Sequence, residues 1–190
     1  MRERQKRNVR IISGTRRGMR LSAPKGDAVR PTADAVRENL FNLLGQNLQG
    51  KRFLDLFGGS GAVGLEAASR GASVVIVEKS PLALRCVEQN IQHCRLQEQV
   101  TVQRGDALAY LARSPQSFDV IFVDPPFDQT HYYGEVMEKV ANSSVLATDG
   151  LLVLEHRSRE PVAAASGFEL HDQRAYGKNA LSFFIRLQHT

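Results

Sequence analysis

The 190 residues, 42% hydrophobic and 24% charged, suit one globular domain with a proper core and argue against a disordered or fibrous chain. No apolar run reaches membrane-spanning length, and MRERQKRNVR at the start holds only Met1 and Val9 as apolar positions, so neither a spanning helix nor a secretory leader is expected. The net charge of +5 is concentrated in residues 1–30, which carry ten Lys and Arg against Glu3 and Asp27, and this layout points to a polyanion-binding arm on a mildly acidic body. Cys86 and Cys94 are the only cysteines; they are expected as reduced thiols of a cytoplasmic protein, not as a disulfide framework.

In chain order, VRIISG (9–14) and MRLSAP (19–24) flank TRRG (15–18) and predict a small β-hairpin with arginines at its tip. Arg10, Arg16, Arg17 and Arg20 are its candidate nucleic-acid contacts. Val36, Leu40, Leu43 and Leu44 recur at helical spacing after Pro31 and Thr32 and predict an amphipathic helix. From Lys51 onward strand and helix alternate. RFLDLF, SVVIVEK, VTVQRGD, FDVIFVD and GLLVLEH are the predicted strands, with GAVGLEAASR, PLALRCVEQNIQHC, ALAYLAR and part of HYYGEVMEKVANS as the helices between them. A short helix near 159–165 and two strands, about 168–174 and 180–187, complete the expectation. Strands apolar throughout require cover on both faces, which predicts a Rossmann-like, mostly parallel seven-stranded sheet between helical layers. Its ligand belongs beyond the carboxyl ends of the strands. The domain division expected is an arm at 1–30 and a catalytic body at 31–190.

DLFGGSGAVG (55–64) leaves the first of these strands and opens a helix, with Gly59, Gly61 and Gly64 in a G-x-G-x-x-G pattern that exposes backbone amides to a ligand. That pattern, with Glu78 at the next strand end for two ribose hydroxyls, suits a nicotinamide dinucleotide and S-adenosylmethionine about equally. Three features favour the second. Asp55 precedes the glycines, where a carboxylate can orient an ammonium group; Asp106 follows the third strand, placed for an adenine amine; and the fourth strand ends in DPPF. Phe57, Ser60, Lys79 and Ala107 flank these positions and join the expected cofactor set. No tyrosine has lysine four residues on, as a short-chain dehydrogenase requires, and no Walker sequence or histidine pair at metal-ligand spacing occurs, so no metal is expected.

Asp124, Pro125, Pro126 and Phe127 are the candidate catalytic residues. The lone pair of an exocyclic base amine is delocalised into its ring. If the Asp124 carboxylate and the Pro125 carbonyl each accept one N–H, that lone pair turns toward a sulfonium methyl. Proline fixes the carbonyl direction because φ is locked and no competing N–H exists. Phe127 offers a ring for stacking, and Asp124 a site for the released proton. Such a pocket admits only an unpaired or extruded base.

DLFGGSG, the Glu78 strand end, GDA and DPPF resemble the class I S-adenosylmethionine-dependent methyltransferases that act on exocyclic amines. With RIISGTRRGMRL and VRPTADAVRENLFNLL at the N-terminus, the whole chain is similar to the guanine-N2 methyltransferases of bacterial 16S ribosomal RNA (the guanine(966) enzymes). The resemblance implies that Asp55, Gly59 and Gly61 line the methionine end of the cofactor, Glu78 the ribose and Asp106 the adenine. It also implies that Arg30, Pro31 and Thr32 pack over the cofactor and that the arm meets 16S rRNA or the small ribosomal subunit. Gly59 stands where that family usually has alanine, and Ala33 and Ala35 replace a threonine and a basic residue. A monomer suffices for this reading. Two other functions stay open: an N6-adenine methyltransferase, which favours Asn at the position of Asp124, and a non-catalytic RNA-binding assembly factor retaining the cofactor fold.

Overall fold

Apolar strands in the middle of a chain need helices on both sides, and the computed structural model has that arrangement; it describes residues 9–23, 31–126, 129–160, 162–165 and 167–187, with 31–33 in backbone only. A two-stranded ribbon, β1 (Val9–Arg10) with β2 (Arg20–Leu21), precedes α1 (Pro31–Leu44). The body then runs β3 (Arg52–Leu56), α2 (Ala62–Ser69), β4 (Ser73–Glu78), α3 (Pro81–Cys94), β5 (Val100–Arg104), α4 (Ala107–Arg113) and β6 (Phe118–Val123). It ends with α5 (His131–Ala141), β7 (Leu146–Arg157), β8 (Phe168–Tyr176) and β9 (Asn179–Arg186).

The seven-stranded sheet has the order β5-β4-β3-β6-β7-β9-β8, parallel from β5 to β7, with β9 antiparallel to β7 and β8 antiparallel to β9. The chain order reverses between β3 and β6, the switch point where parallel sheets open a crevice. Side chains alternate between two cores. Phe53, Val74, Ile76 and Phe122 pack under α1, α2 and α3 through Phe41, Leu65, Val87 and Ile91. Leu54, Leu56, Val77, Ile121 and Val123 pack under α4 and α5 through Leu111, Val136, Met137 and Val140.

The expected elements are present with one exception. No helix forms among the described residues of 159–165. There Ser158 donates its amide to the Lys178 carbonyl and its hydroxyl to the Gly177 carbonyl, which holds the end of β7 against the β8–β9 turn. Val162 and Ala165 lie against the core instead of building a helical turn. Ala163 and Ala164 between them are exposed, so the segment has no continuous apolar face to bury as a helix.

The ribbon is fastened to the body by a buried acid. Glu66, fully buried on α2, accepts the amides of Ile12 at 2.7 Å and Ser13 at 2.9 Å and pairs with Arg70 at 2.8 Å. Nε of the buried Arg37 lies 4.0 Å from the same carboxylate. One turn on, Ser69 donates its hydroxyl to the Ser13 carbonyl and accepts the Arg16 amide. At Gly14, φ is +81°, and a Cβ there would fall on the Ser69 carbonyl, so the approach requires glycine. Replacing Glu66 by alanine leaves the buried Arg70 guanidinium without its carboxylate and two amides without their acceptor. The variant is expected to lose about 3–5 kcal/mol in urea unfolding, and the Ile12 and Ser13 amides to lose hydrogen-exchange protection.

Candidate active site

The carboxyl ends of β3, β4, β6 and β7 open into a cleft of about 680 Å³, closed on one side by Val36, Arg37 and Leu40 of α1 and reached by Val9 and Ala23 of the arm. Asp55, Phe57, Gly59, Ser60, Glu78, Lys79, Ala107, Asp124, Pro125 and Pro126 all line it, so ten of the expected site residues meet in one space.

Asp55 turns toward the α2 side of the sheet, where its Oδ2 accepts the Gly64 amide at 2.9 Å. Gly64 sits in the first turn of α2, so the carboxylate lies under the positive end of a helix. A Cβ on Gly64 would come within 2.8 Å of Ile76 and 3.2 Å of Asp55 Oδ2, and only glycine allows the helix to sit this low. Gly61 is the N-cap of α2 with φ +78° and does not itself line the cleft. The loop between β3 and α2 is held to the neighbouring strand. Phe57 and Gly58 donate their amides to the Val77 carbonyl, and Gly59 donates to Glu78 Oε2 at 2.8 Å. Glu78 Oε1 accepts the Lys79 and Ser80 amides, so three backbone donors fix this carboxylate at the strand end. Phe57 takes a φ of +71°, an uncommon conformation for a residue with a side chain, and its ring meets Tyr132 edge-on at 4.9 Å.

Asp106 does two things. Oδ1 caps α4 by accepting the Leu108 and Ala109 amides, whereas Oδ2 takes only a long 3.4 Å bond from the Tyr132 hydroxyl. Lys79 Nζ lies 3.3 Å from the same hydroxyl. Next to β3, the tip of β6 carries Asp124 at the cleft wall. Pro125 is buried, and the Pro126 carbonyl accepts the Gln129 amide at 2.8 Å, which closes the turn into α5. Tyr133 of α5 donates its hydroxyl to the Glu155 carbonyl, and burial, with the Asp124 and Glu155 charges, pushes its phenol well above the usual range, so it stays protonated.

Phe127 and Arg30 lie outside the described residues, as do the side chains of Pro31 and Thr32. Of the arm's arginines, Arg10, Arg17 and Arg20 are exposed. Arg16 is half-buried, its Nε donating to the Cys94 carbonyl and Nη2 to the Arg95 carbonyl, so it docks the ribbon on the end of α3. The sequence reading missed Arg37, Asn90, Glu155 and Asn179. Asn90 of α3 donates to the Ser22 and Ser60 carbonyls and accepts the Ser22 amide, joining the arm to the glycine loop. Asn179 donates to Glu155 at 2.6 Å, and both line the cleft. Glu155 could have been found as a polar residue closing an apolar run, and Asn90 as a polar residue on the apolar face that Ala83, Val87, Ile91 and Cys94 give α3; nothing local marks Arg37 or Asn179. Among the described residues no group of three His, Cys, Asp or Glu could hold a metal, and no helix is long and apolar enough to cross a membrane.

Burial pushes the Asp55 carboxyl up to about 7, with the Gly64 amide opposing and the Glu78 charge adding to the rise. No cationic side chain among the described residues offsets it, so the pocket favours a ligand that brings a positive charge. A carboxyl whose folded value exceeds its unfolded value keeps its proton longer in the native state. The contribution of Asp55 to native stability therefore falls as pH rises from about 4 to 7, by up to about 4 kcal/mol. Asp55→Asn is expected to remove this slope in urea melts taken across that range and to stand above wild type at pH 8.

The family model described as conserved hypothetical protein 95 matches residues 9–185. Ribosomal RNA small subunit methyltransferase D of Escherichia coli (strain K12) is 31% identical over 180 residues, spanning 94% of this chain and 90% of its own length. The enzyme of the same name from Haemophilus influenzae is 32% identical, spanning 90% of this chain and 91% of its own. The solved structure of yhhF from Escherichia coli superposes with a TM-score of 0.82 at 32% identity, covering 94% of this chain and 98% of that one. A glycine loop over a buried carboxylate, beside a strand ending in Asp-Pro-Pro, is thus part of a chain that belongs to the conserved hypothetical protein 95 family.

Proposed function

We propose that this protein transfers a methyl group from S-adenosylmethionine to the exocyclic N2 amine of a guanine in small-subunit (16S) ribosomal RNA. The observation that carries the reading is the meeting, in one cleft, of the Asp55 pocket with the Asp124-Pro125-Pro126 tip of the adjacent strand. The full-length similarity to small-subunit ribosomal RNA methyltransferases supports the choice of substrate.

S-adenosylmethionine, when bound, supplies an electrophilic methyl carbon whose bond to sulfur breaks as the bond to nitrogen forms. Asp55 holds the ammonium group, which favours its ionised form. Glu78, with two amides on Oε1 and one on Oε2, keeps acceptor capacity on Oε2 for a ribose hydroxyl. Asp106 exchanges its long bond from Tyr132 for an adenine amine, beside Ala107. Asp124 and the Pro125 carbonyl accept the two N–H groups of the guanine amine, directing its lone pair at the methyl carbon. Catalysis comes chiefly from that placement. Asp124 takes the proton that the amine sheds. Phe127 stacks on the base, and Arg10, Arg17 and Arg20 meet the RNA backbone.

Small ribosomal particles from cells lacking this protein should accept tritiated methyl groups, and nucleoside analysis should find N2-methylguanosine. In the same assay Asp124→Ala should retain cofactor binding and lose roughly a hundredfold to a thousandfold in rate, the range seen when a group acting on the transition state is removed. Label on adenine, or near-normal turnover by the variant, would reject the reading. Replacing Arg17 and Arg20 together by alanine should weaken RNA binding and shallow its salt dependence by about two units of slope, with cofactor affinity intact. Titration of binding from low to high salt measures this.

A further inference from the structure

We infer that Glu155 is a specificity-determining residue that reads the N1–H of the target guanine beside the amine held by Asp124. The inference rests on the guanine-N2 reading and adds a second recognition group to it.

Val123 of β6 pairs with Leu154 of β7, so one residue later Asp124 lies just past the end of β6 and Glu155 beside it, two residues before the end of β7. Alternation puts both on the face of Phe122 and Val153, toward α1, and both line the cleft. Adjacent strands lie about 4.8 Å apart, which is the scale on which two carboxylates can address two neighbouring donors of one base. Guanine presents such a pair, N1–H next to the N2 amine. Adenine presents an acceptor at N1, and a carboxylate facing that lone pair rejects it.

Glu155 is built to hold one direction. It is 8% exposed, Asn179 (5% exposed) donates to its Oε1 at 2.6 Å, and the Tyr133 hydroxyl anchors its main-chain oxygen at 2.9 Å. The Asn179 bond uses Glu155 as an acceptor, the same role that an N1–H requires. Its position also separates it from the cofactor pocket. Asp55 and Glu78 stand on β3 and β4, whereas Glu155 stands on β7, beyond Asp124 in the sheet order.

The test uses the full chain and a small-subunit ribosomal RNA fragment carrying the methylated guanine, alongside one with 2-aminopurine at that position. 2-Aminopurine keeps the N2 amine but has an acceptor at N1. Wild type should favour guanine by roughly a hundredfold in kcat/KM, the cost of facing a site's buried polar group with no partner. Glu155→Gln, whose amide can donate to an acceptor N1, should bring the two substrates within a few-fold of each other. Intrinsic reactivity cancels when wild-type and variant ratios are compared. Cofactor affinity and melting temperature should not change. Glu155→Asp, which keeps the charge but withdraws it, should give an intermediate ratio and guards against a folding defect in the first variant. A variant ratio equal to wild type overturns the role of Glu155 alone. Absence of transfer to guanine N2 by wild type overturns the guanine reading and this inference together.

Discussion

The bond between the Asp55 carboxylate and the Gly64 amide sets the geometry of everything around it. It places a carboxylate of the central strand under the first turn of α2, at a distance that no residue with a Cβ at 64 would allow. The helix is held low against Ile76, the glycine loop must turn sharply to enter it, and the loop amides then reach Val77 and Glu78 on the next strand. Burial makes the carboxylate costly to ionise. That cost is the physical basis for preferring a cationic ligand, because only a compensating charge returns the group to its ordinary state.

Helix α2 joins two parts of the molecule that composition alone would keep separate. Its first turn meets Asp55 at the cleft, and Glu66 and Ser69 further along hold the amides and carbonyl of the arm. Asn90 makes a second connection by bonding to Ser22 of the arm and Ser60 of the glycine loop. The basic arm is therefore tied to the same elements that form the Asp55 side of the cleft. Its charge is divided: Arg16 is spent on docking to the end of α3, and Arg10, Arg17 and Arg20 remain exposed. A cluster of arginines in sequence has become one structural cation and several available ones.

Inside the cleft the sheet order arranges acceptors in a line. Glu78 ends β4, Asp55 lies near the end of β3, Asp124 follows β6 and Glu155 lies near the end of β7. All belong to strands that run parallel, so their carboxyl ends gather at one edge, and register brings Asp124 level with Glu155. Such a row is poorly suited to a phosphate and well suited to a cofactor with ammonium and hydroxyl groups, followed by a base with N–H donors. The proposed function would divide the work between exposed cations on the arm, for a nucleic-acid backbone, and acceptors in the cleft, for a base edge.

Much of this was legible in the amino-acid order. Continuous apolar runs ending in Asp55, Glu78 and Asp124 announced buried parallel strands with polar tips, because a strand covered on both faces can tolerate a carboxylate only at its mouth. Glycine spacing announced the turn, since few other residues can adopt the φ that Gly61 and Gly59 require. The segment 159–165 was misread because alanine favours a helix locally, whereas the contacts of the end of β7 with the β8–β9 turn and the exposure of Ala163 and Ala164 decided against one. Arg37 and Asn179 carry no local mark, and Asn90 and Glu155 are marked only as polar residues in apolar surroundings; the roles of all four depend on partners far along the chain. The sequence by itself determined which residues end the strands and therefore where the chemistry lies. Tertiary structure alone decided which of those ends are neighbours, because strand order and register are set by long-range packing that no local pattern records.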